Sequence, residues 1–303
     1  MTMFLHHYPA SPFSEKPRLL FGLKKAQWRS VIQPVIMPKP DLTPLTGGYR
    51  RIPVLQVGAD IFLDTPLILE EIDARTGGDA ARGPLDRVIG SWTDRMFFQA
   101  TVLLVFAARG AQTPAAFIAD REKLSGRPFD VAAMTAAAPM ARSQWRAQAA
   151  WIEEALREGP FLAGETPGVA DVSAYMNVWW LGGAAPAEAE RLLKGLERVE
   201  AWRRALDGLG HGEPTPAEPA QALQAARAAT PEPAPPHDHD DPSGLKPGDR
   251  VVLAADDYGR DPIAGVLVSA APRRAVVARE DPDLGLLHIH APRTGFVLER
   301  ATV

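Results

Sequence analysis

The sequence predicts an α+β protein of several domains: an alternating α/β unit first, an all-α unit second and a small β unit last. Three observations carry this. Strand and helix signals alternate over residues 1–78, apolar residues recur at helical spacing over 84–212, and five short strand signals crowd into 245–303. Residues 213–244, rich in Pro and Ala, read as a semi-rigid exposed linker holding one short helix, Ala217–Ala228.

In the first unit Phe4-Leu5-His6-His7 reads as a strand, Arg18–Lys25 as a helix and Gln27–Met37 as a second strand. Val54–Val57 and Asp60–Leu63 flank the Gly58-Ala59 turn as a hairpin. Thr65 then caps a helix to Arg75, with Pro66 at its first position and Gly77-Gly78 ending it. In the second unit the helical period runs through Val88–Ala108, Met140–Arg157, Val169–Leu181 and Ala187–Leu206. Gly168-Val169-Ala170-Asp171 opens the third of these as a capping box in which glycine replaces the hydroxyl, so one of its two reciprocal bonds is lost. In the last unit Asp249–Ala254, Ile263–Ser269, Ala275–Arg279, Leu286–Ala291 and Gly295–Arg300 are strands, the pattern of a small SH3-like barrel or sandwich.

Composition narrows the function. The chain of 303 residues is 46% hydrophobic, enough for real cores, and no apolar run is long enough to cross a bilayer. A net charge of −4 with interspersed signs gives no electrostatic case for nucleic acid or an anionic membrane. The N-terminus lacks a basic segment followed by an apolar one, so a cytoplasmic protein is expected. Cysteine is absent, which excludes disulfides, thiolate metal sites and any dithiol chemistry carried by the protein itself.

The most informative stretch is Phe4 to Leu20, where a short strand runs into Ser11-Pro12 and a helix follows at once. A hydroxyl then lies beside the free N–H groups of a helix start, where an anion is stabilised. Two later pieces, Arg51-Ile52-Pro53-Val54 and Leu63-Asp64-Thr65-Pro66, stand at distances that make the combination specific.

In these segments residues 1–210 resemble a soluble glutathione transferase, a thioredoxin-like domain followed by an all-α domain. Ser11-Pro12-Phe13-Ser14-x-x-x-Arg18 is similar to the catalytic segment of the zeta class, and in spelling to the omega class with serine in place of cysteine. Ile52-Pro53 resembles the element whose cis peptide presents backbone to the cysteinyl part of glutathione. Asp64-Thr65 resembles the pair that grips the γ-glutamyl end, and Lys39-Pro40 a glutathione-contacting Lys-Pro. The resemblance implies glutathione as co-substrate and a two-fold homodimer, and it does not extend to the C-terminal β unit.

The chemistry at Ser11 has its own physical case. A cysteine-like thiol has a pKa of about 8.5, and lowering it by two units takes ~2.7 kcal/mol of differential stabilisation. A hydroxyl donor together with a helix N-terminus supplies that order of energy. Ser11 is also a plain N-cap, and Ser14 is its rival: a helix starting at Ser14 would place Pro17 in the tolerated first turn, whereas a start at Ser11 puts it inside the helix. Tyr8 offers a phenol but reads as packing. Asp64-Thr65 is also an ordinary helix cap, and Lys39 an ordinary exposed side chain. In the second unit Trp92, Met96, Phe97, Phe98 and Val102, with Arg95 or Arg109, divide between core and an electrophile pocket.

No metal site is expected. His237-Asp238-His239-Asp240-Asp241 reads as a solvated acidic run, His6 and His7 as locally packed, and His288 and His290 as exposed positions on one strand face. The expected function is therefore a glutathione transferase that ionises glutathione near Ser11 and directs it at a small electrophile. The alternative is a catalytically silent protein of the same fold that uses the β unit to contact a partner. That β unit has three possible roles: partner surface, lid over the cleft, or cover for apolar helix surface.

Overall fold

The computed structural model describes residues 2–81 and 83–301. The first unit contains β1 (Met3–His7), α1 (Pro12–Leu23), β2 (Gln27–Ile32), the short α2 (Thr43–Thr46), β3 (Val54–Val57), β4 (Asp60–Leu63) and α3 (Thr65–Arg75). β1 pairs parallel with β2 and antiparallel with β3, which pairs antiparallel with β4, the thioredoxin-like arrangement. The strand expected to reach Met37 stops at Ile32 because Pro34 has no N–H to offer the ladder. All residues of β1, β3 and β4 are buried, since both faces of this sheet are covered.

The second unit contains α4 (Pro84–Trp92), a π-helical turn (Thr93–Phe97), α5 (Phe98–Arg109), α6 (Ala115–Ser125), α7 (Val131–Ala155), α8 (Val169–Ala184), α9 (Pro186–Leu193) and α10 (Glu197–Asp207). Two differences from the sequence reading have local causes. α7 begins nine residues before Met140 and runs through Pro139, held at its start by the Asp130 carboxylate, which accepts from the Ala133 N–H at 2.9 Å. The expected helix over Ala187–Leu206 is broken between α9 and α10 at Gly195, whose φ of 79° is left-handed. Asp171 accepts from the Gly168 N–H at 3.0 Å, so the half capping box forms. It also accepts from the Leu162 and Ala163 N–H groups and from Trp202 Nε1.

The third region departs furthest from a string of separate modules. β6 (Arg250–Ala255), β7 (Ile263–Ala270), β8 (Arg274–Asp281), β9 (Gly285–Pro292) and β10 (Phe296–Arg300) follow the order β10-β6-β7-β8-β9, the last strand returning to the first as in a small SH3-like barrel. Its outer strand β9 does not end the sheet. It pairs parallel with β4, matching Asp60 to His288, Ile61 to Ile289 and Phe62 to His290, so one ten-stranded sheet runs through both regions. Without this pairing β4 would present an open edge.

Hydrophobic burial follows the same seam. One core joins Leu42, Leu45, Tyr49, Ile61 and Leu63 to Val251, Leu253, Ile263 and Ile289. A second joins Leu5, Phe62 and Ile72 to Phe97, Trp145 and Trp202 of the helices. Ile61 and Leu63 face the first core and Phe62 the second, as period-two alternation requires.

The Pro/Ala-rich stretch 213–244, read from sequence as an exposed linker, is tied down along much of its length. β5 (Glu213–Pro216) pairs parallel with β2, and α11 (Pro219–Arg227) buries Ala222 against Phe4 and Val31. Beyond α11 the chain is strapped across the sheet: Glu232 pairs with Arg75 at 2.7 Å and donates its N–H to Asp60 at 2.8 Å, and the Asp238 N–H bonds Ala270. Prolines pre-set the extended backbone that such a strap needs. His290 is buried and His288 nearly so, against the expectation of exposed positions, because the Asp60 and Phe62 side chains of the neighbouring β4 stand against them on the face they share.

Candidate functional site

The helix start is decided at Ser11. Its backbone is extended (φ −78°, ψ 119°), its hydroxyl accepts the Ser14 N–H at 3.2 Å, Pro12 takes the first helical position and Pro17 lies inside α1. Ser11 Oγ therefore uses a lone pair as a cap and keeps its proton to donate. Ser14 Oγ is fully buried with no partner among the described residues. The helix that carries them is unusual: Glu15, Lys16 and Arg18 are all buried. Arg18 forks onto Glu15 at 2.6 Å and donates to the Tyr8 and Pro9 carbonyls, and Glu15 accepts from His211 at 2.9 Å. This network fixes the 8–11 turn from behind.

A cavity of about 360 Å3 opens beside the start of α3. Phe13, Ile52, Pro53, Asp64 and Thr65 form its wall in the first unit. The Ile52–Pro53 peptide is cis. Asp64, not Thr65, is the N-cap of α3. It stands at φ 64° and ψ 145°, a region that costs non-glycine residues energy, and its carboxylate accepts the Thr65 N–H at 2.7 Å. Burial, then the nearby Asp94 charge, pushes the Asp64 carboxyl up, against the pull of Arg51 and the Thr65 N–H.

Sequence reasoning missed the opposite wall. Asp94, on the π-helical turn, faces the cavity and receives Lys16 Nζ at 2.7 Å. Lys16 also donates to Thr65 Oγ1 at 3.0 Å, and Thr65 Oγ1 lies 3.3 Å from Asp94. The signal lay in Glu15-Lys16-x-Arg18, three charges within one turn and a half of an otherwise apolar helix. π-turns within α-helices concentrate at functional sites, and this one turns Asp94 toward the cavity.

The third wall comes from the loops between the C-terminal strands, through Asp257, Tyr258, Arg273 and Thr294. Arg51 stacks on Tyr258 with 4.0 Å from guanidinium carbon to ring centre and is paired with Asp257. Burial pushes the Tyr258 phenol up to about 12, so it stays a hydrogen-bond donor at neutral pH. Arg87 pairs with Glu70 at 3.1 Å and Arg95 with Asp256 at 3.1 Å, while the exposed Arg273 guanidinium has no partner among the described residues.

Of the seven residues selected from sequence, the structure brings Ile52, Pro53, Asp64 and Thr65 together at the cavity. Ser11 and Ser14 are buried next to it in the chain, but only their neighbour Phe13 lines it. Lys39 stands apart: it is buried, donates to the Pro34 carbonyl, and burial lowers its ammonium to about 8. Phe98, one of the aromatics left between core and pocket, packs edge-on against Phe13 at 4.6 Å. Phe97 is core, stacked on Trp92.

Comparison with known proteins gives this geometry its family. Residues 5–80 match the glutathione S-transferase N-terminal domain and residues 92–205 its C-terminal domain. A crystal structure described as a GST-like protein from Pseudomonas syringae is 34% identical over 99% of both chains, with a TM-score of 0.82. The chain belongs to the glutathione S-transferase superfamily. That match runs through the C-terminal strands as well as through the two family domains. FzlA from C. crescentus (23% identity, 80% of this chain and 99% of that one, TM-score 0.51) and a glutathione S-transferase from Sinorhizobium meliloti (17%, 68% and 88%, TM-score 0.53) share the fold. No curated protein sequence matches the chain.

Proposed function

We propose that the chain binds glutathione in the three-walled cavity and directs its thiolate at a small electrophile. The observation that carries this reading is the meeting of Ile52, Pro53, Asp64 and Thr65 around one cavity in a glutathione transferase scaffold. Backbone at Ile52–Pro53 would take the cysteinyl part, and the Asp64 carboxylate the γ-glutamyl ammonium. The unpaired Arg273 suits a glutathione carboxylate. Ser11, with its proton free and the N-terminus of α1 behind it, is the first choice for the thiolate donor, and Ser14 the second. Lys39, buried and tied to the Pro34 carbonyl away from the cavity, makes no glutathione contact in this reading. The electrophile would enter beside Phe13, Asp94 and Arg95, and two copies would pair as a homodimer in the cytoplasm.

A second reading rests on the burial of both serines away from the cavity lining: the protein binds glutathione without turning it over. One experiment separates the two. Calorimetry with glutathione is combined with ultraviolet difference absorbance of the thiolate, for the parent protein and for Ser11→Ala and Ser14→Ala. Binding with a thiolate signal that Ser11→Ala removes supports the enzyme. Binding without that signal supports the silent glutathione binder, and no heat at millimolar glutathione overturns both and favours the silent protein that contacts a partner through the β unit.

A further inference from the structure

Asp60, His288 and His290 meet at the seam where β9 pairs with β4, outside the cavity described above. Asp60 opens β4 directly opposite His288 in the parallel register, and His290 follows two residues on, so its side chain falls on the same face. His290 Nε2 lies 2.8 Å from Asp60 Oδ1 and His288 Nδ1 lies 3.9 Å from the same oxygen. The donor atoms of all three residues fall within 4.8 Å of one another. From these contacts we propose that Asp60, His288 and His290 bind one divalent first-row transition ion of the zinc class, which ties the C-terminal strands to the N-terminal sheet.

Five features support the site. Neighbouring ligands of a tetrahedral ion with bonds near 2.1 Å stand about 3.4 Å apart, and the two observed separations from Asp60 lie on either side of that value. Nδ1 of His288, the atom that faces Asp60, is buried without a hydrogen-bond partner among the described residues, an uncommon state for an imidazole nitrogen, which an ion would relieve. The carboxylate is already oriented, because Asp60 Oδ2 accepts the Glu232 N–H at 2.8 Å, and Phe62 stacks on the His290 ring with centroids 4.5 Å apart. Two imidazoles and one carboxylate are the donor set of zinc and its neighbours rather than of calcium or magnesium, which take oxygen. His288, the least buried of the three, leaves a path for the ion and a fourth position for water.

The ligands come from residues far apart in sequence, so such an ion would favour the folded chain over the unfolded one. This consequence does not depend on glutathione binding. The test uses the full chain, stripped with a chelator and dialysed. Cobalt(II) is titrated in while the visible bands of four- or five-coordinate cobalt are followed, zinc is then added to displace it, and thermal unfolding is recorded with and without zinc. One equivalent of cobalt, displaced by zinc, and a raised melting midpoint are expected. In His288→Gln and Asp60→Asn the affinity should fall at least about tenfold and the zinc-dependent rise in midpoint should vanish. His239→Ala, on the strap, should keep both. The absence of saturable cobalt binding to the parent chain overturns the proposal. So does binding that survives His288→Gln, or binding that His239→Ala removes. Should Asp60→Asn fail to fold, the zinc-dependent midpoint of the parent chain and the His288→Gln titration still decide.

Discussion

Lys16 Nζ lies 2.7 Å from Asp94 and 3.0 Å from the Thr65 hydroxyl, so one buried ammonium from α1 joins the second unit to the start of α3. The contact spans the two domains of the fold at the wall of its cavity. Breaking a buried pair by removing one partner leaves the other charge uncompensated, at a cost of about 3–5 kcal/mol. Lys16→Met should therefore lower the denaturant midpoint strongly, whereas Lys16→Met combined with Asp94→Leu should recover part of the loss. Measured additivity of the two single changes would refute the coupling.

Asp64 carries two opposing effects. Its carboxyl is pushed up in the folded chain, so ionised Asp64 opposes folding at neutral pH, and the penalty disappears as pH falls below the ordinary carboxylate value of 3.8. Asp64→Asn keeps an acceptor for the Thr65 N–H and removes the charge. The variant should melt a few degrees higher at pH 7 and be no more stable than the parent near pH 3. Glutathione affinity should drop by roughly tenfold or more, the worth of one charge-assisted bond. Unchanged affinity would remove Asp64 from ammonium recognition.

Arg273 tests the third wall. Being exposed, it should contribute about 1 kcal/mol to a bound carboxylate, so Arg273→Ala should weaken glutathione binding about fivefold. The effect should shrink with added salt. Equal affinities for parent and variant at low salt would mean that the C-terminal strands contact no carboxylate.

His6 and His7 set the acid limit. Burial lowers them from 6.5 to about 4 and about 3, with Arg18 adding to the effect on His7. Their unfolded forms bind protons below pH 6.5 while the folded forms do not, so stability declines as pH falls from there towards 4. Between pH 7 and pH 5 each histidine should remove about 2 kcal/mol. Urea midpoints at the two pH values check this, and His6→Gln should flatten the decline. Parallel slopes for parent and variant would count against His6.

Truncation before residue 245 should not yield a smaller stable protein. It would expose Ile61, Leu63 and Leu45, which share a core with Leu253 and Ile289, and would leave β4 as an open edge. A chain ending at 244 should be aggregated or should lack a cooperative thermal transition. A monodisperse, cooperatively melting truncation would show that the first two units stand alone.

What could be read in the sequence was local. The Gly58-Ala59 hairpin, the five C-terminal strands and the half capping box at Asp171 all arise from turn chemistry and periodicity within a few residues. Ser11 and Asp64-Thr65 were visible for the same reason, because helix starts have a spelling. α6 escaped notice because its polar and apolar residues show almost no helical segregation, as in Ala119-Asp120-Arg121-Glu122-Lys123.

The pairing of β9 with β4 depended on the whole chain. Which edge strand a distant segment joins is set by register and by burial on both faces, and neither is encoded in a window of ten residues. The same holds for Lys16, whose partners Thr65 and Asp94 lie 49 and 78 residues away. It holds too for Asp60, His288 and His290, which only the closed sheet brings within reach of one another. The sequence alone determined most of the elements, their order and the family resemblance, because those follow from short-range propensity and motif. Only the tertiary structure decided what lines the cavity and what locks the seam, because a buried charge is stable only where folding delivers its counter-charge.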